Sequence, residues 1–142
     1  KGLGSPIGSM LVSDQKRVDE ARIWRKRHGA GMRQVGILAA AAHYALDNNL
    51  KDLARDHEFA QKLAAVISTK NSSVIDPKKV HTNIVALNLA TTRWSAQALG
   101  AELKKHGVIA GALGPTFLRL VTHRDLSESD IDVASQIIAD LI

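Results

Sequence analysis

The sequence predicts a mixed helix–sheet protein whose second half is an α+β sandwich, with helices on one face of a small sheet. Three observations predict it. Apolar residues recur every three or four positions in several long stretches, which is helical spacing. Between them stand apolar runs too short for helices and bounded by turn residues. From Asn83 onward these elements follow in the order β-α-β-β-α, which folds as one layer of helices on one layer of strands.

Gly2, Gly4, Pro6 and Gly8 punctuate the start as an irregular loop. Ser9 to Val12 then reads as a short strand ended by Ser13-Asp14, and Asp14 can cap a helix whose apolar positions are Val18, Ala21 and Trp24. Two glycines at His28-Gly29-Ala30-Gly31 let the backbone turn tightly and end it. A second helix, from about Met32 to Leu46, is apolar almost all round and is expected to be buried. Asn48-Asn49 breaks it, and a third, amphipathic helix follows with Leu50, Leu53, Ala60, Leu63 and Ile67 on one face.

Between Ser68 and Lys79 the composition turns polar. A domain boundary is expected there, dividing the chain into residues 1–68 and 69–142. Asn83 to Leu89 reads as a strand, and Thr92 to His106 as a helix closed by Gly107. Val108 to Ala110 and Phe117 to Thr122 read as two more strands. Ser127-Glu128-Ser129-Asp130 opens the last helix in the manner of a capping box, and its core face is Ile131, Ala134, Ile138 and Leu141.

Composition narrows the function classes. The 142 residues are 45% hydrophobic and 23% charged, an ordinary globular balance. The absence of cysteine excludes a disulfide scaffold, a zinc-thiolate site and thiol chemistry, and it favours a reducing cytoplasm. The longest apolar run, Val35 to Leu46, falls short of the roughly 20 residues a membrane helix needs, so no membrane partner is expected. The six histidines are scattered without metal-ligand spacing, so no metal site is expected. The net charge of +5 is concentrated between Lys16 and Arg33, which suits an anionic partner or a solvated helix face. Aromatic residues are only 4%, too few for a single-strand stacking platform, and no nucleic-acid partner is expected. The first residue is Lys rather than Met. The chain is therefore expected to be the carboxyl-terminal part of a longer protein.

Three groups of residues suit chemistry, each with a plainer alternative. Lys1 opens a glycine-rich block, Lys1-Gly2-Leu3-Gly4-Ser5-Pro6-Ile7-Gly8-Ser9. A confined lysine amine beside small residues suits a Schiff-base nucleophile, whereas a flexible basic terminus is the plainer reading. Arg119 shares a strand face with Phe117 and Val121 by period-2 alternation. Its fork matches a carboxylate bidentately, as an amino acid would present; the alternative is an arginine on an exposed strand. Lys26 and Arg33 flank the glycine turn, where cations near a helix start form an anion or phosphate site. The alternative there is a solvated basic face.

The wording of four blocks adds a resemblance to this pattern. The lysine block, Trp24-Arg25-Lys26, Gly31-Met32-Arg33-Gln34-Val35-Gly36-Ile37-Leu38-Ala39-Ala40-Ala41 and Arg119-Leu120-Val121-Thr122-His123 together resemble the low-specificity L-threonine aldolases. These are fold-type-I pyridoxal-phosphate enzymes, and the resemblance runs in order along nearly the whole chain. It implies that Lys1 carries pyridoxal 5'-phosphate, that Arg119 binds the substrate α-carboxylate, and that Lys26 and Arg33 lie near the cofactor phosphate. It further implies an α/β fold, of which this chain supplies the end of the large domain and a small α+β domain. The implied reaction is cleavage of threonine or allo-threonine to glycine and acetaldehyde. A related β-eliminating lyase, another β-hydroxy amino acid aldolase and a non-catalytic assembly fragment are the alternatives.

The family's first half has no counterpart here, so the chain alone is expected to be inactive and to leave the apolar helix from Val35 uncovered. The expected partners are that half, an amino-acid substrate, and further copies in a dimer or tetramer. Ala30 stands where the family usually has the middle of three glycines.

Overall fold

The computed structural model describes residues 2–142, which form two compact units divided between Leu50 and Lys51.

In the first unit, α1 spans Gln15–Arg27 and α2 spans Gly36–Asn49. Asp14 caps α1, its side chain accepting from the Arg17 N–H, so the expected start holds. The end also follows the sequence. Gly29 adopts φ +75, its N–H donates to the Lys26 carbonyl, and the Ala30 N–H donates to the Arg25 carbonyl. That pair of bonds is the Schellman closure, which needs a left-handed residue where Gly29 stands.

Two expectations for this unit are corrected. Residues 9–13 make no ladder and are exposed, because the described residues of this unit include no strand to pair with Met10, Leu11 and Val12. The second helix begins at Gly36 rather than Met32, since Gln34 at φ +53 breaks helical geometry just before it. Of α2, Ala45 and Asn49 are buried, whereas Ile37 (82% exposed) and Tyr44 (65%) face outward. The burial expected from its composition is thus not found among the described residues.

The second unit holds the hydrophobic core. α3 spans Asp52–Lys70, and a single 3-10 turn at Pro77–Lys79 leads to β1, Ile84–Asn88. α4 (Ala96–Lys105), β2 (Gly111–Ala112), β3 (Phe117–Val121) and α5 (Glu128–Leu141) follow. The sheet is antiparallel in the order β1-β3-β2. Alternation puts Val85, Leu87, Leu118 and Leu120 on the buried face, where α3, α4 and α5 cover them with Leu63, Ile67, Leu99, Leu103, Ile131 and Ile138. Helices on one face of a small sheet are what the sequence predicts. The polar stretch from Ser68 to Lys79 lies within this unit, because α3 packs against α5 and carries the chain past Ser68.

Element ends differ in detail. The helix expected from Thr92 begins at Ala96, since Ser95 supplies the cap by accepting from the Ala98 N–H. The short strand expected at Val108–Ala110 forms at Gly111–Ala112 instead. Ser127 and Asp130 close the capping box of α5 reciprocally, as expected.

Candidate active site

In the second unit the face of the sheet away from the helices is open. It carries Ile84, Ala86 and Asn88 of β1 and Phe117, Arg119 and Val121 of β3, all exposed. Arg119 occupies the middle of this face. It is paired with Ala86 on one side and Gly111 on the other, so both lateral neighbours are too small to crowd its side chain.

The ladder bonds set which neighbour stands closer. The Thr122 N–H donates to the Asn83 carbonyl at 2.9 Å, and the Leu89 N–H to the Thr116 carbonyl at 2.7 Å. Hydrogen-bonded pairs therefore fall at even positions of β3, which leaves Ala86 and Arg119 a non-hydrogen-bonded pair, with Cα atoms about 4.5 Å apart. The guanidinium makes no ion pair or hydrogen bond among the described residues. A fork with five donors and no carboxylate of its own is available to an anionic ligand. Beside it, over β1, lies a cavity of about 440 Å³ walled by Ala86, Asn88, Phe117, Ser73 and Lys79. A separate hollow of about 470 Å³ opens between His106–Ile109, the end of β3 and α5; Arg119 lines neither cavity.

In the first unit the structure places Lys26 in the last turn of α1 and Arg33 in the connection before α2, so both flank the glycine turn as expected. Both are exposed, and neither pairs with a carboxylate among the described residues. The turn itself is closely built. A Cβ placed on Gly31 would meet Lys26 Cγ at 3.3 Å, so the lysine stem lies close against this glycine. Trp24 stacks on His28 at 5.8 Å and Arg27 lies over its ring at 4.9 Å, which stiffens the same end of α1. Lys26 and Arg33 stand on either side of a glycine-closed turn with the charge sign that binds a phosphate. In charge they suit the phosphate end of pyridoxal phosphate, the group the resemblance implies.

Lys1, the expected cofactor-bearing residue, lies outside the described residues.

The sequence reading did not single out Ala86 and Gly111, since strand register is set by tertiary pairing. It named Thr122 only as the end of a strand and within the Arg119–His123 block and gave it no role, although it is the one polar residue in an otherwise apolar inward series.

Comparison with known proteins takes the assignment further. A family model described as beta-eliminating lyase matches residues 1–92. The chain belongs to that family. It is 39% identical over 131 residues to the low specificity L-threonine aldolase of Escherichia coli strain K12, covering 92% of this chain and 37% of that protein. It is 34% identical over 132 residues to low-specificity L-threonine aldolase 1 of Arabidopsis thaliana, again 92% of this chain and 37% of the relative. Aldolase vrtJ of Penicillium aethiopicum is 32% identical over 149 residues, covering all of this chain and 35% of the relative. The resemblance read from the four sequence blocks is borne out. The chain spans little more than a third of the length of these relatives. Among the described residues no helix is long and apolar enough to cross a membrane.

Proposed function

We propose that the protein is a pyridoxal-phosphate-dependent aldolase that cleaves L-threonine and L-allo-threonine to glycine and acetaldehyde. The observation that carries this reading is Arg119, a fork without a partner among the described residues in the centre of an open strand face, in a chain of this family. An amino acid offers the α-carboxylate that such a fork binds through two parallel hydrogen bonds.

Each residue then has a physical task. Lys1 holds the cofactor covalently through its ε-amine, and Lys26 and Arg33 neutralise its phosphate. When bound, pyridoxal phosphate supplies an electron sink for the bond broken at the substrate Cα. Arg119 fixes the α-carboxylate and so limits rotation about the Cα bonds, a positioning effect that brings the Cα–Cβ bond to the breaking geometry. The small neighbours Ala86 and Gly111 keep the approach to the guanidinium clear.

We also propose that the fold is that of a type-I pyridoxal-phosphate enzyme, of which this chain closes the large domain and supplies a small α+β domain. The length of the relatives and the exposed Met10, Val12 and Ile37 support a further amino-terminal portion as partner, and a dimer or tetramer as the assembly. The lack of cysteine favours the cytoplasm.

The family description also favours a second reading, β-elimination. Product analysis separates the two. The full protein, loaded with cofactor and given L-threonine, is expected to release glycine and acetaldehyde in equal amounts. Release of ammonia and a 2-oxo acid without glycine would replace aldol cleavage by elimination.

A further inference from the structure

We infer that Thr122 is a positioning residue for Arg119, through a clamp that its hydroxyl makes between the end of β3 and the first turns of α3. The inference rests on the reading of Arg119 as the carboxylate anchor and names the device that aims it.

Thr122 follows directly on β3, and its parity places it in the inward series after Leu118 and Leu120. It is 1% exposed. A hydroxyl so buried must find an acceptor, because leaving it unpaired is costly. Thr122 Oγ1 donates to the Asp56 carbonyl at 2.6 Å. The Thr122 N–H donates to the Asn83 carbonyl at 2.9 Å, and Asn83 Nδ2 donates back to the Thr122 carbonyl at 2.7 Å. Two residues on, Arg55 Nη2 donates to the Arg124 carbonyl at 2.9 Å and Arg124 pairs with Asp52 at 3.3 Å. Asp52, Arg55 and Asp56 stand at i, i+3 and i+4, one face of α3. The exit of β3 is thus tied to a single helix face at three points.

The need for such a tie follows from the sheet. β2 pairs only with Leu118 and Arg119. Past Arg119, β3 has β1 alone as its ladder partner among the described residues. A long side chain that binds a carboxylate through a planar fork amplifies any rocking of its backbone, so orientation at its base matters. The clamp removes that freedom within three residues of Arg119. Valine in place of Thr122 keeps the β-branched shape and loses the hydroxyl, which makes it the informative substitution.

The test measures the glycine dissociation constant by calorimetry on the full, cofactor-loaded protein, alongside kcat and the thermal midpoint. Thr122→Val is expected to weaken glycine binding about tenfold, and Thr122→Ser to stay within about twofold of the parent. In an Arg119→Ala background, itself weakened, Thr122→Val is expected to add less than about twofold, the non-additivity of residues acting through one contact. An equal loss in both backgrounds would mark a general effect on the fold and overturn the inference, as would unchanged binding in Thr122→Val where Arg119→Ala binds weakly. Unchanged binding in Arg119→Ala would overturn the anchor reading itself, and the inference with it. If Thr122→Val does not fold, Arg55→Met removes the neighbouring bond from an exposed position and takes the same two-background test.

Discussion

Ala86 stands directly opposite Arg119 in the β1–β3 ladder, as a pair that shares no backbone hydrogen bond. Side chains approach most closely at such positions. The methyl of Ala86 therefore bounds the room beside the guanidinium on the β1 side.

Ala86→Leu is expected to crowd that approach. Because Ala86 is exposed, the thermal midpoint should change little, within about 0.5 kcal/mol of stability. The KM for the amino-acid substrate should rise several-fold in steady-state assays. An unchanged KM would mean that the ligand does not use this side of Arg119.

The helix caps offer a stability test that includes pH. Ser127→Ala opens the box that starts α5 and is expected to cost about 1 kcal/mol in denaturant unfolding. Hydrogen bonds from the Ser127 hydroxyl, then from its backbone N–H, hold the Asp130 carboxyl below the ordinary aspartate value. A carboxyl depressed in the folded state adds stability that is present above its unfolded pKa and lost as pH falls through the folded one. The difference between parent and Ser127→Ala should therefore be full at neutral pH and shrink in acid, below the ordinary aspartate range. A difference that grows with acidification would contradict this origin.

Two glycines should respond to alanine in opposite directions. Gly29 sits at φ +75, where a side chain costs about 1–2 kcal/mol, so Gly29→Ala is expected to destabilise the end of α1. Gly100 lies inside α4, and a Cβ there would meet the Ala110 carbonyl and Leu118 Cδ1 at 3.6 Å, ordinary contact. Gly100→Ala is expected to stabilise by about 0.5–1 kcal/mol, the helix propensity gain. Thermal unfolding of the two variants checks both signs.

Leu118 is fully buried between the sheet and α4. Leu118→Ala is expected to cost about 2–5 kcal/mol. Arg119→Ala, one residue away on the open face, should cost less than about 0.5 kcal/mol. Chemical denaturation distinguishes the two, and similar losses would mean that β3 is not inward and outward as described.

Local signals carried much of the fold. Asp14, Gly29, Ser127 and the alternation of Phe117 to Val121 act over a few residues, and each structure follows its motif. Signals that depend on partners misled. Met10 to Val12 has strand composition but pairs with no strand among the described residues, and α2 has the composition of a buried helix with Ile37 and Tyr44 exposed. At the candidate site, alternation put Arg119 beside Phe117 and Val121, whereas Ala86 and Gly111 depended on register, which no local pattern encodes. The Thr122 clamp joins residues 66 apart and was equally out of local reach.

The central claim, a pyridoxal-phosphate enzyme built around Lys1, meets its most direct test in one measurement. The full protein, supplied with cofactor, is reduced with borohydride, denatured, digested and mapped by mass spectrometry. A pyridoxyl adduct on Lys1 is the predicted result. An adduct confined to another lysine, or none in a preparation that releases acetaldehyde from threonine, would contradict it.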